Sequence, residues 1–268
     1  MPRLAANLSM MFTEVDFLDR FAAAAAAGFQ GVEYLFPYAW AAGDIAERLR
    51  AHGLTQALFN MPPGDWEAGE RGLACLPGRE ADFRAGVVEA LSYAETLGCA
   101  RIHAMAGIRP PEADPADLEA VYVRNLRFAA AEAAKAGRIV TIEPINPIDM
   151  PGYFLATQAD ARRFIGLADA PDDTLKVQFD LYHCQMSEGG VSRAMDRQWP
   201  FLGHVQIAAV PGRNEPDQGE MDVGWLLDRL DARGYEGWVG CEYRPRGATT
   251  DGLAWARRFG VVPQDGRT

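Results

Sequence analysis

Two periods of apolar residues alternate along the chain. Short β-branched runs such as Val140-Thr141-Ile142 carry the alternation of a strand, and the longer stretches between them repeat apolar residues every three to four positions, as a helix lying on a sheet does. The runs predict strands beginning at Leu4, Gly31, Thr55, Arg101, Ile139, Leu175, Gly203 and Trp238. The stretches between and after them predict helices over 16–27, 42–52, 80–97, 115–136, 157–167, 190–199, 223–233 and 250–258. Pro115 suits a first helical turn, where its missing N–H would have no partner anyway. Gly28, Gly53, Gly98, Gly137 and Gly234 stand where a left-handed residue closes a helix ahead of the next strand. The alanine run at 22–27, flanked by Phe21 and Phe29, fits a tightly packed helix because alanine is the best helix former. Strands and helices in this order, with no linker, predict an α/β protein: a (β/α)8 TIM barrel in a single domain over 1–268, with a doubly wound open sheet as the alternative.

Four of the strands end on an oxygen-bearing side chain. In the fifth, Val140 and Ile142 share one face and Thr141 and Glu143 the other, and Pro144 stops the ladder because it has no N–H to donate. Asp180, Gln206 and Glu242 hold the matching places at the ends of the sixth, seventh and eighth strands. Barrel closure would gather all four at the C-terminal mouth, where such carboxylates repel one another unless a cation intervenes. An all-oxygen set favours Mg²⁺ or Mn²⁺ over structural zinc. A lone carboxylate in such a place reads equally well as a helix cap or a loop ion pair; one on each of several consecutive strands reads better as a site. His183, three residues after Asp180, is placed to touch a substrate, a capping role being its alternative. His204 lies deeper on the strand of Gln206 and is expected to be a hydrogen-bonded interior residue, His103 a core residue and His52 a surface one. Two long connections follow strands, 60–79 with Trp66 and 208–222 with Arg213, and long ordered loops on that face are candidate lids. Trp66 would close over a substrate, and Arg213 would clamp a carboxylate with its two-donor fork; Arg109 is a weaker candidate for the same task.

Composition narrows the partners. The chain has 49% hydrophobic residues, enough for a large core, and a formal charge of -11, which opposes nucleic acid and anionic membranes. Cys75, Cys99, Cys184 and Cys241 form no C-x-x-C pair, as expected of reduced thiols in a cytoplasmic protein. No leader-like segment precedes the first strand, and no stretch approaches the length of a membrane span. Phosphate-loop, dinucleotide-binding, serine-hydrolase and H-E-x-x-H signatures are absent from the sequence.

The stretches Asn7-Leu8-Ser9-Met10, Gly31-Val32-Glu33-Tyr34, Gly64-Asp65-Trp66-Glu67-Ala68-Gly69-Glu70-Arg71-Gly72, Ile142-Glu143-Pro144-Ile145-Asn146, Phe179-Asp180-Leu181-Tyr182-His183, His204-Val205-Gln206-Ile207, Pro211-Gly212-Arg213-Asn214-Glu215-Pro216 and Val239-Gly240-Cys241-Glu242-Tyr243 span nearly the whole chain. Taken together they resemble the hydroxypyruvate isomerase family of xylose-isomerase-like barrels. The resemblance implies a barrel that interconverts hydroxypyruvate and 2-hydroxy-3-oxopropanoate (tartronate semialdehyde). It makes Glu143 and Glu242 the acid/base pair, and Asp180 and Gln206 the remaining positions of a divalent-metal site that both glutamates share. Ala209 departs from the Q-I-A-D expected of relatives, which bears on the choice of substrate. A 2-oxo-tetronate isomerase and a ketose 3-epimerase are alternatives using the same pair; a metal-dependent nuclease and a non-catalytic binder of metal and sugar acid are remoter ones. The expected partner is a small hydroxy-keto acid, and a homo-oligomer is compatible with the chain.

Overall fold

Parallel strands pair in chain order and close on themselves in a computed structural model that describes residues 1–263. The strands are β1 (Arg3–Asn7), β2 (Gly31–Tyr34), β3 (Thr55–Asn60), β4 (Arg101–His103), β5 (Ile139–Ile142), β6 (Leu175–Asp180), β7 (Leu202–Ile207) and β8 (Trp238–Cys241). Closure is made by β8 against β1, with Ala5 opposite Gly240. The helices are α1 (Phe17–Ala26), α2 (Ala42–Ala51), α3 (Glu80–Leu97), α4 (Pro115–Lys135), α5 (Gln158–Ala168), α6 (Leu181–Ser187), α7 (Val191–Gln198) and α8 (Val223–Ala232), followed by a 3-10 helix over Thr249–Phe259. The barrel is therefore the expected one, and the open sheet is set aside. Strands start where expected, within one residue. Two helical features differ: the last helix is 3-10 rather than α, and α6 follows β6 directly where no helix was expected. A domain running to residue 268 extends past the description, because 264–268 lie outside the described residues.

Local chemistry sets the element ends. Asp114 Oδ1 accepts from the Ala116 N–H at 2.8 Å and Thr157 Oγ1 from the Asp160 N–H at 3.1 Å, so α4 and α5 begin on side-chain caps. Gly98, at φ 64°, ends α3 in the left-handed region that a Cβ disfavours.

Residues on the two faces of each strand go to different places. Val140, Ile142, Val177, Phe179, Val205, Ile207, Val239 and Cys241 are fully buried in the apolar layer between strands and helices. The alternate positions, Glu33, Thr141, Gln178, His204 and Gln206, line a polar lumen and bond one another. Trp238, Ala5 and Ala57 form a separate apolar cluster where β8 begins. Gly31 leaves room for it, since a Cβ there would come within 2.6 Å of the Trp238 ring. The lumen is thus plugged at one end, and its polar side chains lead to the other.

Candidate active site

Glu143 follows β5, where Pro144 ends the strand, and Glu242 follows β8, its N–H donating to the Ile207 carbonyl at 3.1 Å. Asp180 ends β6 and at once caps α6, Oδ1 accepting from the Tyr182 N–H at 2.7 Å. That cap starts the short helix and places His183 in its first turn, beside the carboxylates. One ligand atom each from Glu143, Asp180, His183 and Glu242 lies within 4.8 Å of the others, and all four residues are buried. Nε2 of His183 is 3.7 Å from Asp180 Oδ2 and 4.0 Å from Glu143 Oε1.

Asn146 sets the tautomer of that histidine. Its Oδ1 accepts from the Ile148 and Asp149 N–H groups at 3.1 and 2.9 Å, which turns its amide nitrogen to His183 Nδ1 at 2.6 Å. Nδ1 must then accept, and Nε2 carries the proton. Arg213 Nη2, 3.3 Å from Nε2, makes the opposite demand on the ring. The Asn146 contact prevails, being 2.6 Å against 3.3 Å, and Arg213 Nη2 finds a better acceptor in Glu242 Oε2 at 2.9 Å.

Arg213 also stands 4.0 Å from Asp180 Oδ2 and 3.7 Å from Asp149 Oδ2. The guanidinium expected to clamp a substrate carboxylate is thus already paired with carboxylates of the protein. Trp66 lines the same cavity, of about 530 Å³, leaning on Phe36 with 5.0 Å between ring centres. Arg109 does not reach it; it lines a separate hollow with Pro110 and Glu119.

Gln206 stands one residue before the end of β7, close to the place expected of it, and is buried, with both ends of its amide engaged. Its Oε1 accepts from Gln178 Nε2 at 2.7 Å and its Nε2 donates to Glu33 Oε1 at 2.8 Å. The Gln178 nitrogen also donates to Glu143 Oε2 at 3.0 Å, so one donor holds the Glu143 and Gln206 oxygens side by side. Glu33 was not among the expected site residues. It is fully buried, paired with His204 Nε2 at 2.7 Å, and accepts from Asn7 Nδ2 at 3.0 Å. A glutamate inside a strand run, between Val32 and Tyr34, is the one trace of it in the sequence, and it gains its meaning only beside His204. His204 and His103 are the interior residues expected, the latter with Nδ1 3.2 Å from Asn60 Oδ1.

Electrostatics here are dominated by desolvation. Burial, then repulsion from Glu242 and Asp180, holds the Glu143 carboxyl well above the ordinary range. Burial pushes Glu242 up to about 8, against the pull of Arg213. It pushes Asp180 up to about 6, against Arg213 and the Tyr182 and His183 N–H groups. Burial, with Arg213 and His103 nearby, keeps His183 well below its usual range and therefore neutral. Glu143 Oε1 and Asp180 Oδ2 are buried without a hydrogen-bond partner among the described residues. Unsatisfied carboxylate oxygens crowded around one point are the donors a divalent ion would fill, so these residues fit a metal.

A closed barrel with this acidic pocket on its C-terminal face defines the class. The chain belongs to the xylose isomerase-like TIM barrel family, whose model matches residues 21–259. Within it, the chain is 57% identical over 259 residues to 2-oxo-tetronate isomerase of Cupriavidus necator, covering 97% of this chain and 99% of that one. It is 43% identical to hydroxypyruvate isomerase of Escherichia coli, covering 95% and 98%. A crystal structure described as AP endonuclease, family 2, from Brucella melitensis superposes with a TM-score of 0.94 at 49% identity, covering 97% and 100%. With such relatives over nearly its whole length, the chain is an enzyme of the isomerase type.

Proposed function

We propose that this enzyme interconverts hydroxypyruvate and 2-hydroxy-3-oxopropanoate by moving a proton between neighbouring carbons. The observation that carries the reading is the buried pair Glu143 and Glu242 in one cavity, both with raised carboxyls and only one of them held by an arginine. A pair in which one member is ionised and the other protonated is what such a transfer needs. Arg213 biases the ionised role towards Glu242.

Glu242 removes a proton from C3 of hydroxypyruvate, and the electron pair moves to form a C2–C3 enediolate. Glu143 delivers a proton to C2, and the proton of the C3 hydroxyl passes to the C2 oxygen, leaving an aldehyde at C3 and a hydroxyl at C2; both glutamates then regain their starting protonation by exchange with solvent. His183, its Nε2–H set by Asn146, donates to a substrate oxygen, Arg213 supports the negative charge, and Trp66 excludes water. Glu143, Asp180, Gln206 and Glu242 would hold a divalent ion, Mg²⁺ or Mn²⁺, whose contribution is Lewis-acid stabilisation of the enediolate charge. Gln206 is preferred to His183 for the fourth place because its Oε1 is already turned towards Glu143, whereas the His183 nitrogen facing the pocket is protonated.

A second reading, the four-carbon substrate 2-oxo-tetronate, is favoured by the 57% identity to the Cupriavidus enzyme. The chemistry and residues are the same. A nuclease is disfavoured by the formal charge of -11 and by a cavity of about 530 Å³, sized for a small ligand. Among the described residues no helix is long and apolar enough to cross a membrane, and all four cysteines are free and buried. Both facts support a cytoplasmic setting. Comparing kcat/KM for hydroxypyruvate and 2-oxo-tetronate, with Mg²⁺ or Mn²⁺ supplied, separates the two readings. Turnover of neither acid would overturn both.

A further inference from the structure

The loop that carries Trp66 brings another arginine into the cavity. Arg71 Nη1 donates to the carbonyls of Trp66 and Glu70 at 2.9 and 2.8 Å, and its guanidinium carbon lies 3.8 Å over the Trp66 ring. These contacts fix the plane of the guanidinium. Nε and Nη2 remain, on one edge of the fork, with no acceptor among the described residues, and Arg71 makes no ion pair among them either. The backbone behind it is pinned: Gly72 pairs with Ala106, and at φ 107° it sits so close to the Met105 carbonyl that a Cβ has no room.

The other cations near the cavity are otherwise occupied or placed. Arg213 is paired with Glu242 and lies near Asp149, Arg109 lines a different hollow, and Arg244 is exposed at the rim. A carboxylate entering beside Glu143 and Glu242 needs an uncommitted positive group, and a half-buried arginine stacked on an indole is preorganised for two parallel bonds to it. We propose that Arg71 anchors the substrate carboxylate and sets the preference of this site for 2-oxo acids over neutral ketoses. The inference rests on the keto-acid reading above and deepens it.

The test uses metal-loaded protein and three small molecules: 2-oxo-tetronate; erythrulose, its neutral counterpart with CH₂OH in place of the carboxylate; and threonate, the C2-reduced acid that has no ketone to isomerise. Arg71→Met is expected to lower the ratio of kcat/KM for 2-oxo-tetronate over erythrulose about 10- to 100-fold, the order contributed by hydrogen bonds to a charged group, chiefly through KM. Arg71→Lys, which keeps the charge and loses the fork, recovers part of the ratio. Calorimetry should show threonate bound by the wild type and at least about tenfold more weakly by Arg71→Met. An unchanged kcat/KM ratio, or equal threonate affinity in both proteins, overturns the anchor. A wild type that neither binds threonate nor turns over the acid does so too. Threonate affinity lost in Arg71→Met, with no turnover of 2-oxo-tetronate or hydroxypyruvate by the wild type, would sink the isomerase reading and leave the anchor standing.

Discussion

Glu33 and Gly240 occupy one space across the barrel lumen: a Cβ on the glycine would run into both oxygens of the carboxylate. That carboxylate is the acceptor for Asn7 and Gln206 and the partner of His204, all buried. Glu33→Ala should therefore cost about 3–5 kcal/mol in urea unfolding, the order found when one partner of a buried charged contact is removed. A loss below about 1 kcal/mol would mean that water replaces the carboxylate without penalty. Glu143→Gln and Glu242→Gln should instead fold normally and lose about 10²–10⁴-fold in kcat, the usual contribution of a general acid or base. Metal content must be measured alongside, and a variant with full metal and near-native kcat clears that glutamate of proton transfer. Glu143, Asp180, Gln206 and Glu242 could be singled out from the sequence because each stands at or beside the end of an apolar strand. Glu33 was not, because it lies within a strand and its meaning depends on His204, far away in sequence, which only closure of the barrel brings beside it.

The connections between elements carry the positioning, and they were harder to read. Loop 60–79 could be picked out as a candidate lid through its length and Trp66, but the idle edge of Arg71 appears only once its stacking and backbone contacts are seen. The seven residues of α6 are too few for an apolar period to declare itself, and the cap at Asp180 that starts it also reads as a strand end. Over the eleven residues of Thr249–Phe259, α and 3-10 winding leave much the same sequence pattern. The connection after β5 offers a direct test of how one loop sets chemistry on the next helix. Asn146→Asp replaces a donor to His183 Nδ1 by an acceptor, so the ring should switch to the Nδ1–H form. Nitrogen NMR of the labelled imidazole should show the switch, with kcat reduced more than KM is raised. Persistence of Nε2–H in the variant would dismiss Asn146 as the residue that sets the tautomer.

At the scale of the whole molecule, the acidic pocket makes stability depend on pH and metal together. Glu242, raised to about 8, and Glu143, held well above its ordinary range, bind protons more tightly in the folded chain than in the unfolded one. Their contribution is complete below the ordinary carboxylate range and is lost as pH rises through the folded values. His183, and His103 at about 3, act with the opposite sign, but in the unfolded chain both are half titrated by about pH 6.5 and contribute little as pH rises beyond 7. In chelator, Tm should therefore fall as pH rises from about 7 through 8, and saturating Mg²⁺ or Mn²⁺ should flatten the fall. Equal slopes with and without the ion would argue against a metal held by these carboxylates. The central claim, that Glu242 takes a proton from C3 and Glu143 gives another to C2, is tested most directly by incubating hydroxypyruvate with metal-loaded enzyme in D₂O. Proton NMR should show deuterium entering C3 of recovered hydroxypyruvate and C2 of the aldehyde product, and Glu242→Gln with full metal should abolish both. Conversion with no deuterium at either carbon, or undiminished exchange in that variant, would contradict it.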